Sequence, residues 1–342
     1  MLWKEIGYQY GYLPDCDRLR KVLCSRPYPP PGLQHVRKLA IMCFDNCMDK
    51  KDVPYIVQNC KELHTIIIQC ELVTDKDMID ILRNLQSLNV SLSDIGFVDI
   101  FRISVESPSL AQLVLKYCDN ITDAAIVNIA NKCPYLQHIS LKGCGEITDV
   151  SVKELARKCQ NLYYLNLSGC VSVRFANRTM EMLSSRCENL EYFNSKANDA
   201  CFENNRNRWL TSRDIQLLAS RCKRLRFLIL EGCSLIDDPA VYEVAKNCAK
   251  LEKINLRYCA GIFSQAVFEI AKSCPNLRLQ YANLSGCAIT DNIVHKAKER
   301  RRKTLIYVTG CSSISPETLQ ILEDRRNVYL RHYPWIRHTN NI

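Results

Sequence analysis

The feature that most restricts this chain is the spacing of its cysteines. Cys118, Cys144 and Cys170 stand 26 residues apart, as do Cys233 and Cys259. A second series keeps the same step of 26, from Cys133 to Cys159 and from Cys222 through Cys248 to Cys274. Two interleaved ladders with one period mean one structural unit repeated along the chain.

Aligned on those ladders, Leu136 to Cys144, Leu162 to Cys170 and Leu251 to Cys259 all read L-x-x-L-x-L-x-x-C. This is a leucine-rich-repeat consensus. Its central L-x-L alternates with period two, as a half-buried strand should, so successive repeats can pair as a parallel sheet. A turn and a helical pattern follow. After Ile147-Thr148-Asp149 the apolar Val152, Leu155 and Ala156 recur at helical spacing before Cys159, and Ile121-Thr122-Asp123 precedes Ile126, Ile129 and Ala130 in the same way. The Asp or the Thr of each triplet can cap the helix. Val73-Thr74-Asp75 and Ile289-Thr290-Asp291 repeat the signal towards the two ends.

This register predicts an α/β fold: a right-handed leucine-rich-repeat solenoid, or horseshoe, with a parallel sheet on the concave face, helices on the convex face and about ten repeats. Strands are expected near Val36–Ile41, Leu63–Ile68, Leu85–Val90 and Leu110–Leu115, then one per repeat to Tyr307. The period breaks at a truncated repeat around Leu85, at a short insertion near Leu277–Leu279 and at a longer one between Asn198 and Leu210. Residues 1–35 read as an N-terminal cap or the remnant of another module, with the proline-rich Pro27 to Pro31 as a stiff lead-in. Residues 36–328 form the solenoid, and the aromatic, basic 329–342 a C-terminal cap or tail that covers the last repeat.

Composition removes several alternatives. With 47% hydrophobic and 24% charged residues the chain is that of a folded protein without a disordered tract. There is no stretch long and apolar enough to span a bilayer and no secretory signal, so the expected compartment is cytosol or nucleus. The 20 cysteines are then thiols. No Cys-x-x-Cys pair supplies a zinc or redox motif. Small, soft sulfur side chains suit the tight positions between stacked repeats, whereas a ligand or sensor role would need clustering or an activating environment. The net charge of +10 favours acidic partners, but no basic block alternates with aromatics as nucleic-acid binding would require.

The combined pattern, with Cys closing the strand, I-T-D before the helix and Cys closing the helix, resembles the cysteine-containing leucine-rich repeats of F-box/LRR proteins and of the antagonist of mitotic exit network family. The resemblance runs from about Val36 to Val308 and is most specific at Ile121 to Cys170. It implies a concave sheet that captures a protein, often a target for a cullin-based (SCF-type) ubiquitin ligase. The segment before the first strand is shorter than a whole F-box. Leu2-Trp3-Lys4-Glu5-Ile6 is similar to the stretch that closes many F-boxes, and Leu13-Pro14 to a degenerate opening; a plain cap for the first repeat is the other reading.

Residues beside the consensus leucines point out of the sheet, so one position read down the repeats is a physical column. The third position runs Gln112, His138, Tyr164, Tyr192, Phe227, Lys253, Tyr281. The fifth runs Val114, Ser140, Asn166, Asn194, Ile229, Asn255, Asn283, and the seventh Lys116, Lys142, Ser168, Lys196, Glu231, Arg257, Ser285. Aromatic anchors beside amides, flanked by cations, are the composition of a protein-binding surface suited to an acidic or phosphorylated segment. The candidate contacts are Tyr164, Asn166, Tyr192, Asn194, Phe227, Lys253, Asn255, Arg257, Tyr281 and Asn283. The insertion adds Phe202, Arg206, Arg208 and Trp209 on a rim loop. The basic run Lys298 to Lys303 closes a helical stretch, where cations are favoured, and is also the kind of patch that directs nuclear import.

Local signatures of catalysis are missing from the sequence: no G-x-S-x-G, no glycine-rich phosphate loop, no H-E-x-x-H. The expectation is a binder that needs no cofactor or metal and is monomeric on its own. Its partner is a protein target, with a cullin-ligase adaptor docking through the N-terminal segment. The alternative is an F-box-free scaffold or inhibitor of a cell-cycle signalling protein. A repeat protein of DNA damage recognition would instead show salt-sensitive DNA binding.

Overall fold

The computed structural model describes residues 5–8, 32–42, 55, 59–69, 85–91, 104–105, 107–176, 178–197, 207–275, 277, 282–284, 287–291, 306–307, 313–315 and 317. Consecutive repeats fold alike because each contributes one short strand and, where described, one helix, and neither can bury its apolar side alone. The chain divides into two compact units, Met1–Val173 and Arg174–Ile342.

In the first unit β1 (Glu5–Tyr8), β2 (Lys38–Met42), β3 (Thr65–Gln69), β4 (Ser87–Ser91), β5 (Gln112–Lys116), β6 (His138–Ser140) and β7 (Tyr164–Asn166) lie side by side in chain order. All pairings are parallel, and Lys38, Thr65, Ser87, Gln112, His138 and Tyr164 align across neighbours. Each of β2 to β7 starts two residues after the first consensus leucine. β1 was not among the expected strands, since it lacks the leucine pattern, yet Glu5 pairs with Lys38 and Tyr8 with Ile41. Helices α1 (Asp123–Lys132) and α2 (Asp149–Lys158) follow β5 and β6.

In the second unit the main sheet holds β8 (Tyr192–Asn194), β10 (Phe227–Ile229), β12 (Lys253–Asn255), β13 (Ala282–Asn283) and β14 (Ile306–Tyr307), again parallel. β9 (Asn207–Thr211) pairs with β11 (Cys233–Leu235) in a separate two-stranded sheet. The helices are α3 (Thr179–Arg186), α4 (Ser212–Arg221), α5 (Asp238–Asn247) and α6 (Ser264–Ser273).

The core is the consensus itself. Leu136, Ile139 and Leu141 of one repeat, and Val152, Leu155 and Ala156 of the following helix, are fully buried, as are their counterparts in other repeats. Each large aliphatic side chain removed from water contributes about 1.5–3 kcal/mol. The helices are short because each ends where its cysteine turns the chain: the Cys159 N–H still reaches Leu155 O, but its own backbone has left the helical region.

Thr148 is the N-cap of α2, its hydroxyl accepting from Val150 N. Asp123, the aspartate of its triplet, has a different job: it lies at the first position of α1 and reaches forward to the next repeat. Asp123 accepts from Thr148 N at 2.9 Å, Thr148 Oγ1 at 2.5 Å, Ser151 N at 3.2 Å and Ser151 Oγ at 2.5 Å. Asp238 likewise accepts from Phe263 N, and Asp291 from Ser315 N. One carboxylate thereby satisfies orphan donors at the start of the following helix, which couples neighbours along the array.

Both cysteine series are explained by carbonyls. Several strand-end sulfurs donate to the sixth-position carbonyl one repeat back, Cys144 to Leu115 O at 3.4 Å, Cys170 to Leu141 O at 2.9 Å, Cys233 to Ser195 O at 3.5 Å and Cys259 to Leu230 O at 3.2 Å, whereas Cys118 donates to Lys116 O of its own strand at 3.6 Å. Leu141 O also accepts the Cys144 N–H, so both its lone pairs are used. Helix-end sulfurs donate to the preceding helix-end residue, as Cys159 does to Cys133 O and Cys274 to Cys248 O. A thiol is small enough to fit and still offers a weak donor. Among the described residues thirteen cysteines are buried and outside any disulfide. Burial pushes the thiols of Cys60, Cys133, Cys144, Cys187 and Cys248 up to about 12, and raises those of Cys170, Cys222, Cys233 and Cys259 well above the usual thiol range as well. They are protonated and unreactive.

Candidate protein-binding face

With Ile139 and Leu141 buried in the core, alternation sends positions three, five and seven to the opposite face of the strand. In the first unit His138 and Tyr164 occupy neighbouring third positions and stack, with ring centroids 3.7 Å apart and planes at 5°. Tyr163 meets the same imidazole edge-on at 6.1 Å. Burial, and then the positive charge of Lys116, lower the His138 pKa to about 4, so the ring is neutral. In the second unit Tyr192 and Phe227 are aligned in register with centroids 5.9 Å apart, and Lys253 comes next in the same row. All of these third-position side chains are half-buried: each offers one surface to solvent and rests on its neighbours.

The fifth position does something the sequence did not disclose. Asn166 Oδ1 accepts from Ser168 N, Asn194 Oδ1 from Lys196 N, and Asn255 Oδ1 from Arg257 N, at 2.9–3.0 Å. These side chains tie down the backbone two residues on, as Asn does in turns. Asn166 and Asn194 are 6% and 9% exposed, so their carbonyl oxygens serve the strand end before any partner. Five of the turns then pass through a left-handed residue at the eighth position. Gly143, Gly169 and Gly232 have φ of 74° to 79°, and Tyr117 and Tyr258 take 56° and 61° at the same place.

Charges on this face differ between the units. In the second, two ribs of opposite charge flank the aromatics. Arg226 sits between Glu191 at 3.3 Å and Glu252 at 2.6 Å. Glu231, only 5% exposed, sits between Lys196 at 3.6 Å and Arg257 at 3.3 Å and accepts from Asn255 Nδ2 at 2.9 Å. Lys196 and Arg257, cations expected to greet an acidic partner here, share the single negative charge of Glu231, and Glu231 was not singled out from the sequence because a lone acid in a basic column gives no sign of burial. In the first unit Lys116 and Lys142 have no carboxylate within salt-bridge distance among the described residues; the Lys142 ammonium instead lies 4.9 Å above the Tyr117 ring.

Trp209 is 48% exposed, but it belongs to β9, which pairs with β11, and Arg174 covers its ring at 4.8 Å. The chain returns from the insertion as a strand that leads directly into Thr211, the N-cap of α4, closed by a reciprocal bond with Asp214. Of Arg208 and Asn283 the backbone alone is described, in β9 and β13. Phe202, Arg206 and Tyr281, the run 298–303 and the tail 329–342 lie outside the described residues.

Strand, turn, helix and cysteine ladder together define a leucine-rich-repeat solenoid. A family model of the leucine-rich repeat matches residues 132–156. Among solved structures the chain is similar to one from the crystal structure of the Rad7 and Elc1 complex in yeast, with TM-score 0.63 and 17% identity over 92% of this chain and 87% of that one. An internalin, inlF, from Listeria monocytogenes aligns with TM-score 0.47 and 14% identity over 83% and 80% of the two chains. No curated protein matches the sequence. Among the described residues no helix is long and apolar enough to cross a membrane, and no group of three or more His, Cys, Asp or Glu side chains is placed to hold a metal ion.

Proposed function

We propose that this chain is a protein-binding receptor whose exposed sheet positions capture a target polypeptide for a cullin-type (SCF) ubiquitin ligase, in the cytosol or nucleus. The observation that carries the binding role is the row of third-position rings, His138 and Tyr164 in one unit and Tyr192 and Phe227 in the other. These rings are locked by stacking and register yet open to solvent on one side. Rigid aromatics of this kind lose little entropy on binding and are typical anchors of an interface. The ligase assignment is supported by the resemblance of Ile121 to Cys170 to F-box/LRR repeats. It is also supported by a similar chain having been crystallised in a two-protein complex of Rad7 with Elc1.

One observation favours a second reading. Glu5–Tyr8 is a strand in register with β2, which puts part of the Leu-Trp segment into the repeat sheet rather than into a helical docking module. A scaffold or inhibitor that acts without a ligase, as the resemblance to antagonists of mitotic exit suggests, fits that arrangement.

Affinity capture from cells, with the wild-type chain beside a Tyr164→Ala, Tyr192→Ala, Phe227→Ala triple variant, tests the binding role. Proteins held by this face should disappear from the variant's set, and identical sets would overturn it. The half-life of a captured protein, measured with and without the chain, separates the two readings: shortening supports the ligase role, no change the scaffold.

A further inference from the structure

Lys116 and Lys142 occupy the seventh position of adjacent repeats. Their strands run in register from Gln112 and His138 onward, and the Tyr117 N–H bonds to Lys142 O at 2.7 Å. Neighbouring strands are about 4.8 Å apart, so two ammonium stems leave the sheet side by side. Like charges directly opposite one another on a sheet are unfavourable. The second unit resolves the same problem with Glu231 between Lys196 and Arg257, while in the first unit no described acid takes that place.

The surroundings hold the pair together rather than letting it disperse. Tyr117 adopts φ 56° at the place where three other repeats use glycine, a conformation unfavourable for a bulky side chain. Its ring packs over Gly143 so closely that a β-carbon there would come within 2.4 Å of it, and Lys142 lies over its face at 4.9 Å. Between the lysines and the His138–Tyr164 stack comes Ser140, which is 1% exposed and whose hydroxyl has no hydrogen-bond partner among the described residues. A buried hydroxyl without a partner calls for an explanation in a folded protein.

We infer that Lys116, Lys142 and Ser140, beside the His138–Tyr164 stack, form a phosphate-reading subsite for a phosphorylated peptide segment. The dianionic group supplies the counter-charge that Glu231 supplies in the second unit, and one of its oxygens accepts from the Ser140 hydroxyl. The neutral, stacked His138 and Tyr164 give the adjoining peptide a flat apolar platform. The inference rests on the protein-binding reading above and locates its anion selectivity in the first unit.

The test is retention of the full chain on beads carrying a degenerate peptide library with a central phosphoserine, beside the same library unphosphorylated. The phosphorylated library should be preferred by about tenfold or more, a preference worth at least ~1.4 kcal/mol. It should be lost in Lys116→Gln/Lys142→Gln and kept in a Lys132→Gln/Lys158→Gln control on the exposed helix ends, with thermal melting used to confirm that both variants are folded. Equal retention of the two libraries, an unaffected Lys116→Gln/Lys142→Gln variant, or displacement by a single-stranded DNA oligonucleotide as effective as by free phosphopeptide would overturn the inference. If phosphate selectivity is missing while captured proteins still depend on Tyr192 and Phe227, the subsite alone falls. If that dependence is missing too, the binding role falls with it.

Discussion

Replacing Glu231 with Gln keeps the shape and an acceptor for Asn255 but removes a buried charge shared by two cations. At an effective dielectric of about 20, unit charges at the 3.6 Å and 3.3 Å seen for Lys196 and Arg257 attract by about 4 to 5 kcal/mol each. Most of that is offset by the desolvation of the carboxylate. Lys196 and Arg257 keep 25% and 37% of their side-chain surface, so solvent screens them further. The expected net loss is about 2 to 3 kcal/mol, at the lower end of what breaking a buried pair costs. In urea unfolding followed by circular dichroism this is a fall of roughly 1 M in midpoint with an unchanged slope. A double-mutant cycle with Arg257→Met should return a coupling of about 1 kcal/mol or more. A loss below about 0.5 kcal/mol together with an additive cycle would refute the claim that Glu231 is the counter-ion that closes this rib.

Asp123→Ala should cost about 2 to 3 kcal/mol, because it strips acceptors from Thr148 and Ser151 at the start of the next helix; a midpoint within error of wild type would contradict the forward-capping role. The thirteen buried cysteines should resist iodoacetamide at pH 8 in the native state and react only after unfolding, since burial keeps the reagent out and also raises the pKa of nine of the thiols; native alkylation of any of them, read by mass spectrometry, would count against the packing assignment. His138 has its pKa depressed to about 4, so the unfolded chain takes up a proton first as pH falls. Stability present above about pH 6.5 should therefore decline towards pH 4, by about 1 to 2 kcal/mol after allowance for the solvent that reaches the ring. His138→Gln should remove that part of the decline, and equal pH profiles for the two proteins would refute it.

Much of this architecture could be read from residue spacing, because the leucines and cysteines each sit where one side chain type fits and the period is set by a repeated unit. The third-position row was legible for the same reason: alternation along a strand is a local rule, and Tyr164, Tyr192 and Phe227 follow it. What the sequence concealed were relations between repeats. Asp123 looks like a cap for its own helix but serves the next one, since only the stacked array brings Thr148 and Ser151 within reach. Asn166, Asn194 and Asn255 give no sign in the sequence that their Oδ1 atoms close their own strand ends. Lys196 and Arg257 read as free cations until Glu231 is seen between them. The strand Glu5–Tyr8 has no leucine pattern and is recruited by pairing with β2, a tertiary effect that no local rule announces.

Whether the aromatic row of the sheet, rather than the helices, meets the partner can be measured with a photo-reactive phenylalanine placed in turn at Tyr164, Tyr192, Lys158 and Lys246 in cells. Adducts to the captured protein should form from Tyr164 or Tyr192 and not from the two exposed helical sites. Adducts confined to Lys158 and Lys246, or formed equally from all four positions, would contradict the role given to the sheet.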